Sequence, residues 1–354
     1  MRSEDLINRE FRVPFGFGSP HMQSVRRRIV PRHFALDDVS ESRFVLVDMH
    51  DGSGDRLVAS VHRSYAARMG EPADQTRTDA GPVLVVLIHG LGGSAESEYI
   101  RATARGLLRC GFNVARVDLR GAGHSGNHSR GLYHAGRTDD IRDLLRQLVV
   151  LPEAQSPQGE PRVAVAGFSL GGNAVLKLLG EPLQGLPVVS GVAVSAPLDL
   201  AVGSEHLHHM MFGLYERFVM NGLREDVARP GPESGLSDDE REVISTAKTV
   251  VEFDDAITAP RNGWRDAAEY YAVNSSGQYL PRIRVPVLVV HSLDDPMIPA
   301  GPYRSVDWDD VESHGFVRRA FTAHGGHVGF HQRGRVYPWY VAQMIRFFNT
   351  PDVG

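Results

Sequence analysis

Short apolar runs and helical patterns alternate along most of the chain. Residues 83–88 form a continuous apolar run, as expected of a strand that is covered on both faces. In residues 97–110 the apolar positions recur at helical spacing. Further strands are predicted at 113–119, 163–168, 188–194, 285–291 and 316–321, and further helices at 138–150, which Thr138 would cap, at 171–180 and at 334–348. The alternation predicts an α/β fold with a mostly parallel central sheet and helices on both faces.

Three parts of the chain depart from this alternation. Residues 43–49 and 57–62 are β-like runs around the turn Asp51-Gly52-Ser53-Gly54, which predicts an antiparallel hairpin. Residues 64–82 are mostly polar and contain Gly and Pro, as is typical of a linker. Residues 201–281 contain several helical patterns but no comparable strand. We interpret them as a helical insertion between two core strands.

Composition and charge narrow the class of protein. The 354 residues, 23% of them charged and 42% hydrophobic, suit two or three globular domains, or one large α/β domain with an insertion. A net charge of -5 gives no general attraction to nucleic acid or to an anionic membrane. With the single cysteine Cys110 no intrachain disulfide can form, and the apolar runs are shorter than the ~18 residues of a spanning helix. We therefore expect a cytoplasmic protein without stable membrane insertion.

A candidate nucleophile stands between a predicted strand and a predicted helix. Gly167-Phe168-Ser169-Leu170-Gly171 fits the pattern G-x-S-x-G and lies between the strand 163–168 and the helix 171–180. A serine nucleophile needs a sharp turn that exposes its hydroxyl, and only small flanking residues let the two backbone arms approach each other. The alternative is a glycine-rich turn with an incidental serine. A candidate oxyanion loop, acid and base elsewhere in the chain favour a nucleophilic Ser169 over an incidental serine.

A glycine-rich loop supplies candidate oxyanion donors. His89-Gly90-Leu91-Gly92-Gly93 follows the strand 83–88, and such a loop can turn its backbone N–H groups toward a developing negative charge. The N–H group of the residue after the nucleophile is the usual second donor. Leu91 and Leu170 are therefore the candidates. The side chain of His89 is expected to be that of an ordinary loop histidine.

A candidate acid and base follow in the order that the G-x-S-x-G pattern requires. His291-Ser292-Leu293-Asp294-Asp295-Pro296 ends one strand, and His324-Gly325-Gly326-His327 follows the next. Serine needs a base to take its proton, and the imidazole needs a carboxylate to orient it. Asp295 is favoured over Asp294 because it stands four residues before Pro299, and His327 over His324 because it follows the paired glycines. Both alternatives stay open.

Other motifs point to chemistry less strongly. Residues 121–126 match G-x-G-x-x-G, but the polar, glycine-broken residues that follow begin no helix to hold a pyrophosphate. His206, His208 and His209 could form a metal cluster, although solvated or entrance-lining side chains are the more common case. For the adjacent pair Asp254-Asp255 we favour a capping or ion-pair role over a catalytic one.

The order of these motifs resembles the α/β-hydrolase fold, and further segments resemble its YheT-like branch, AB hydrolase family 4. The resemblance covers about residues 14–345. The segments that carry it are Arg120-Gly121 with Ser125-Gly126, Tyr133-His134 with Gly136 and Thr138-Asp139-Asp140, residues 167–173, Ser195-Ala196-Pro197, Glu252-Phe253-Asp254-Asp255 with Thr258-Ala259, Asp266 with Tyr270-Tyr271, Asp294-Asp295-Pro296 and residues 324–330. The chain departs from the family at Glu98, often a proline, and at residues 19–24, where Ser-Pro-His-Met-Gln-Ser replaces an N-x-H-x-Q-T pattern.

The resemblance implies a catalytic triad of Ser169, Asp295 and His327 in a carboxylic ester hydrolase of the carboxylesterase or lipase type. We expect a small-molecule ester with a short- to medium-chain acyl group to be cleaved through an acyl-enzyme, without a metal or organic cofactor. Transfer of the acyl group to an alcohol, phospholipase-type activity with the same triad, and a non-catalytic binding module on the same fold are the alternatives.

The three candidate residues also predict the domain organisation, because they can meet only if the strands on both sides of 201–281 belong to one sheet. Residues 1–42 would be an N-terminal extension on the core, 43–200 and 282–354 the hydrolase core, and 201–281 a helical cap. Apolar side chains of the cap are expected over the mouth of the site, namely Leu207, Met210, Met211, Phe212, Leu214, Tyr215 and Phe218. Ordinary packing of a cap helix onto the core is an equal and compatible alternative.

Overall fold

The computed structural model describes residues 11–66, 77–78, 81–228 and 236–350. Most of the predicted linker 64–82, the first ten residues and the segment 229–235 of the predicted insertion lie outside these ranges.

The described residues form an eight-stranded sheet with the strand order β1-β2-β4-β3-β5-β6-β7-β8. The first two strands pair as the predicted antiparallel hairpin, and β2 is antiparallel to β4, whereas all other neighbours are parallel. The strands are β1 Ser40–Asp48, β2 Arg56–Ser64, β3 Leu84–Ile88, β4 Asn113–Asp118, β5 Val163–Phe168, β6 Val188–Val194, β7 Val287–Ser292 and β8 Val317–Thr322. The predicted α/β architecture is therefore confirmed.

Helices connect the parallel strands and cover both faces of the sheet. They are α1 Pro20–Ile29, α2 Glu98–Arg109, α3 Thr138–Leu148, α4 Leu170–Gly180, α5 Leu200–His209, α6 Leu214–Ala228, α7 Asp238–Thr246, α8 Val250–Phe253, α9 Ala259–Arg261, α10 Ala267–Asn274, α11 Ala300–Ser305, α12 Trp308–Ser313 and α13 Trp339–Asn349. A π-helical segment, Asp254–Thr258, joins α8 to α9. After β4 the chain forms the short 3-10 turn Gly123–Asn127.

The apolar strands are buried because both faces of the sheet carry a hydrophobic layer. One cluster packs α3 and α4 against the sheet, and the other packs α2 and α13 against the opposite face. All five residues of β3 have no exposed surface. Burying each Leu, Ile or Val side chain of this kind stabilises the fold by about 1.5–3 kcal/mol.

Two predicted helix starts are wrong, for local reasons. Thr138 is the first residue of α3 and not its cap, because its hydroxyl donates to a Glu181 carboxylate oxygen at 2.8 Å. The last helix begins at Trp339 and not near residue 334. Pro338 precedes it with an extended ψ of 147°, and Gly334 has a φ of 73°.

The region after β6 has a hydrophobic cluster of its own. Residues from α5 to the π-helical segment pack together, and the cluster meets the rest of the protein through Leu91, Leu132 and Met297. Within the described part of 201–281 there is no strand, in agreement with the pattern of the sequence. The limits of the extension, core and cap stay predictions.

Three buried histidines should make the stability of the fold depend on pH. Burial and the Arg116 guanidinium lower the pKa of His62 to about 4, and burial lowers that of His134 to about 3 and that of His291 to about 4. A histidine whose folded-state pKa lies below its ordinary value of 6.5 binds protons mainly in the unfolded chain. The stability that these histidines contribute is therefore fully present above about pH 6.5 and is lost as the pH falls toward their folded-state pKa values.

At pH 5 each of these histidines should lower the free energy of unfolding by about 2 kcal/mol. Asp254 has the opposite effect. Burial raises its pKa to about 6, so its protonation in the folded chain raises the free energy of unfolding by about 1.4 kcal/mol at pH 5. Denaturant unfolding should show a net loss of at least about 3 kcal/mol between pH 7 and pH 5. Equal free energies at the two pH values would contradict the assignment of neutral buried imidazoles.

Candidate active site

Ser169 occupies a strained turn between β5 and α4. Its backbone has a φ of 52° and a ψ of -122°, a conformation that costs a residue with a Cβ about 1–3 kcal/mol. The flanking glycines permit the turn. A Cβ on Gly167 would lie 2.1 Å from the Gly171 carbonyl oxygen, and one on Gly171 would lie 2.4 Å from that of His89. The Ser169 amide donates to the Val194 carbonyl at 2.9 Å, which fixes the turn to the next strand.

The structure brings the three predicted side chains into one hydrogen-bonded row. The Oγ of Ser169 lies 3.0 Å from Nε2 of His327, on the loop after β8. Nδ1 of His327 lies 2.9 Å from Oδ2 and 3.2 Å from Oδ1 of Asp295, on the loop after β7. The three loops meet because their strands end at the same edge of the parallel part of the sheet.

Asp295 is held as a carboxylate. Its side chain has no exposed surface, and its Oδ1 also accepts hydrogen bonds from the amides of Met297 and Ile298 at 2.9 and 3.0 Å. Burial acts to raise the pKa of Asp295, but His327 and the Ile298 amide outweigh it and the pKa is lowered. A carboxylate in this position can orient the imidazole and stabilise its protonated form.

The neighbouring aspartate and histidine form a second pair away from Ser169. Oδ2 of Asp294 lies 3.1 Å from Nδ1 of His324, whose side chain is 54% exposed. Oδ1 of Asp294 accepts from the Gly326 amide at 3.0 Å. Of the two acids and two bases left open by the sequence, Asp295 and His327 are the pair at Ser169.

The residues of the predicted oxyanion donors, Leu91 and Leu170, line the same cavity as Ser169. Leu170 is the first residue of α4, where a backbone N–H has no partner inside the helix. In the other loop the amides of Gly90 and Gly92 donate to the hydroxyls of Tyr99 and Tyr133 at 2.9 and 2.7 Å, and within the described residues the Leu91 amide has no such bond.

His89 holds this loop in place. It is fully buried, with Nδ1 2.8 Å from the Gly90 carbonyl oxygen and Nε2 3.1 Å from the Leu119 amide nitrogen. The imidazole thus connects the loop after β3 to the end of β4. His89 therefore has a structural role that was not expected of an ordinary loop histidine.

A cavity of about 320 Å³ opens at Ser169. Its wall is mainly apolar, with contributions from the core and from the region after β6, and volumes of this order are typical of small-molecule sites. The apolar lining includes Leu91, Leu170, Leu200, Leu207, Phe218, Val219, Leu223, Val250, Phe253, Met297, Ile298 and Val328. A neighbouring cavity of about 280 Å³ reaches His327 and is lined by Met211, Leu214, Tyr215 and Phe218, together with residues of α1.

Sequence reasoning did not identify α1 as part of the site. Ser24 Oγ accepts a hydrogen bond from the His327 amide at 2.8 Å, and Gln23 Oε1 accepts one from the His331 amide at 2.8 Å. His21 Nδ1 lies 2.8 Å from the Tyr215 hydroxyl. The only signal was the segment Ser-Pro-His-Met-Gln-Ser at residues 19–24, which departs from the family's N-x-H-x-Q-T pattern.

The other motifs have structural partners. Asp255 accepts a hydrogen bond from the Ala267 amide at 3.0 Å, as expected of a capping residue. Asp254 differs from the expectation, since its Oδ2 accepts from the Tyr271 hydroxyl at 2.8 Å and it has no ion pair within the described ranges. His208 lies 2.8 Å from Glu216, and the part of the chain that the structure describes contains no group of three or more potential metal ligands.

Comparison with known proteins agrees with this architecture. Residues 83–333 match the family described as the alpha/beta hydrolase fold. The chain is 33% identical over 322 residues to the Escherichia coli (strain K12) protein named "Putative esterase YheT", covering 91% of this chain and 87% of that protein. It is 28% identical to the monoacylglycerol lipase of Saccharomyces cerevisiae, covering 81% of this chain and 63% of that protein.

Among solved structures, the Pyrococcus furiosus esterase Pf2001 superposes with a TM-score of 0.56 at 18% identity, over 89% of this chain and 93% of that one. This likeness concerns the fold alone. The match over residues 83–333 and the identity with the Escherichia coli protein show that the chain belongs to the α/β hydrolase family.

Proposed function

We propose that the protein hydrolyses carboxylic esters through an acyl-enzyme on Ser169, with short- to medium-chain acyl groups as its better substrates. Family membership and relatives named esterase and monoacylglycerol lipase support a carboxylic ester hydrolase of the esterase and lipase type. The hydrogen-bonded row from Asp295 through His327 to Ser169 supports an acyl-enzyme on Ser169, and the apolar cavity beside it supports a short- to medium-chain acyl group.

In the proposed first half-reaction, Ser169 Oγ attacks the acyl carbonyl carbon while His327 Nε2 takes the hydroxyl proton. The amides of Leu91 and Leu170 donate hydrogen bonds to the resulting oxyanion. His327 then delivers the proton to the departing alcohol, leaving the acyl group on Ser169. In the second half, water attacks the acyl-enzyme with His327 as base, and the acid and free Ser169 are regenerated. Asp295 orients the imidazole and stabilises its charged form.

Product analysis tests this function against acyl transfer, which uses the same acyl-enzyme. Purified protein should convert propyl octanoate to octanoate and propanol. With ethanol added, ethyl octanoate should remain a minor product. Ethyl octanoate as the main product at low ethanol concentration would favour an acyltransferase. Turnover of a phosphatidyl ester in preference to propyl octanoate would favour a phospholipase, and no turnover of any ester would favour a binding module.

The apolar cavity supports a prediction about acyl-chain length. Because each methylene buried in an apolar wall contributes about 0.8 kcal/mol, kcat/KM should rise from acetyl esters until the cavity is filled. Longer chains should then gain nothing or lose rate. The measurement is kcat/KM for 4-nitrophenyl esters from acetyl to dodecanoyl, and a flat profile would contradict the proposed preference.

The contact between α1 and His327 supports a prediction about positioning. Replacing Ser24 by alanine leaves the buried His327 amide without its acceptor, at a cost of about 1–3 kcal/mol. We expect kcat to fall about tenfold with little change in KM, since Ser24 does not line the cavity at Ser169. Ser24→Thr keeps the hydroxyl and should retain most of the activity. Equal activity of Ser24→Ala and wild type would show that the bond does not position the imidazole.

We propose a cytoplasmic location and a small-molecule ester as the partner of the site. Across the described ranges, none of the helices combines the length and apolar character needed to cross a membrane.

A further inference from the structure

One buried carboxyl group in the Ser169 cavity has no part in the proposed reaction. Asp254 begins the π-helical segment between α8 and α9, and its residue is only 9% exposed. It lines the same cavity as Ser169 and His327. Its hydrogen-bond partners are the hydroxyls of Tyr271, at 2.8 Å from Oδ2, and of Thr258. Within the described ranges no Lys, Arg or His forms an ion pair with it.

An unpaired carboxyl is an unfavourable group in such a wall. Burial without a cation costs several kcal/mol in the charged form, and burial raises the pKa of Asp254 to about 6. A π-helical turn is likewise rare and often lies at a functional site. The carboxyl is therefore better explained by a ligand than by stability.

The surroundings of Asp254 suit a hydrogen-bonding ligand. A carboxylate offers about four lone-pair positions, and the Tyr271 and Thr258 hydroxyls occupy two of them. The polar groups of Tyr271, Thr258, Ser204 and His134 line the cavity with Asp254, while most of the remaining wall is apolar. A ligand in this cavity thus contacts a mostly apolar surface with one small polar area, in which the Asp254 carboxylate can accept a further hydrogen bond.

We propose that Asp254, fixed by Tyr271 and Thr258, forms a subsite that accepts a hydrogen bond from a free hydroxyl group of the ester substrate. The inference rests on the proposed ester hydrolysis and names its preferred substrate class, a hydroxyl-bearing ester. The hydroxyl can belong to the alcohol part, as in a partial ester of a diol, or to the acyl chain. The shared chemistry is an O–H group held a fixed distance from the carbonyl that Ser169 attacks.

The direct partners of Asp254 match a neutral hydroxyl group better than an ionic group. A second cavity shares Tyr133, His134 and Thr258 with the first, and four arginines line it, Arg120, Arg130, Arg137 and Arg261. Arg120, Arg137 and Arg261 pair with Asp55, Asp140 and Glu240, and the direct partners of Asp254 are the neutral hydroxyls of Tyr271 and Thr258. A carboxylate ligand would face Asp254 itself.

Matched pairs of esters test the subsite, since a hydroxyl and a methyl group have similar size. The alcohol pair is 2-hydroxyethyl octanoate and propyl octanoate, and the acyl pair is ethyl 8-hydroxyoctanoate and ethyl nonanoate. Wild type should show a kcat/KM about tenfold higher for the hydroxyl member of one pair, and the pair concerned identifies the source of the hydroxyl. Choline octanoate against 3,3-dimethylbutyl octanoate should show no such preference.

Variants assign the preference to Asp254. Asp254→Ala should reduce the ratio to near one while the methyl-bearing ester keeps its kcat/KM within about threefold. Asp254→Asn, a weaker acceptor, should reduce the ratio to about threefold or less. Both should fold, because they remove a buried ionisable group. Asp255→Asn is the matched control, since this neighbouring carboxylate binds the Ala267 amide and should leave the ratio unchanged.

The outcomes separate this inference from the proposed function. Hydrolysis of all four esters with ratios near one in both pairs would overturn the subsite and leave the esterase intact. A hydroxyl preference that persists in Asp254→Ala would also overturn it, as would a preference for the choline ester alone. Absence of hydrolysis of every ester would instead refute the proposed function.

Discussion

Replacing Ser169 with alanine should lower kcat for ester hydrolysis by about 10⁴-fold or more and abolish covalent labelling by a fluorophosphonate probe. The large effect follows from the proposed mechanism, because the alanine enzyme can form no acyl-enzyme and must rely on direct attack by water. The residual rate would come from binding and from the amides of Leu91 and Leu170. The fold should survive, since alanine adopts the backbone conformation of Ser169 no less easily than serine.

Ser245→Ala is the control for this experiment, because Ser245 lies on α7 outside the lining of the cavity and its hydroxyl donates to the Glu242 carbonyl of its own helix. It should keep both labelling and turnover within a few-fold of wild type. Labelling of Ser169→Ala at the wild-type rate would place the nucleophile elsewhere. Absence of labelling in wild type, with the protein folded, would favour a binding module.

The second large effect should distinguish two adjacent aspartates. Asp295→Asn should lower kcat by about 10³–10⁴-fold, since the amide can donate to Nδ1 of His327 and so favour the tautomer that cannot accept the serine proton. Asp294→Asn should lower it by no more than about fivefold. Asp294 contacts His324 and the Gly326 amide, and its loss affects the loop and not the imidazole at Ser169.

Steady-state kinetics of the two variants, with circular dichroism to establish folding, provides the comparison. Because the pKa of Asp295 is lowered, its replacement should be as damaging at pH 6 as at pH 8. A large loss in Asp294→Asn with a small loss in Asp295→Asn would reverse the roles. Similar small losses in both would show that the carboxylate contributes little to the imidazole.

Local pattern was sufficient to predict most of the fold. The inner strands β3 and β5 are buried on both faces, so their sequences are nearly continuous apolar runs, and β5 and β6 match the predicted limits 163–168 and 188–194. The turn at Ser169 is equally visible in the sequence, since a side chain on Gly167 would collide with the Gly171 backbone and one on Gly171 with the backbone at the end of β3. The start of α13 was missed because backbone angles at Gly334 and Pro338 override the apolar period.

The α/β architecture and the order of the candidate serine, acid and base can be predicted without a structure, because both depend on residue type and on neighbours a few positions away. The tertiary structure distinguishes Asp295 and His327, which lie at Ser169, from Asp294 and His324, which pair elsewhere. It also brought Ser24 to the His327 amide and Asp254 to the cavity wall. These contacts join residues far apart in the chain, whose approach depends on how the strands and helices pack and leaves no periodic signal in the sequence.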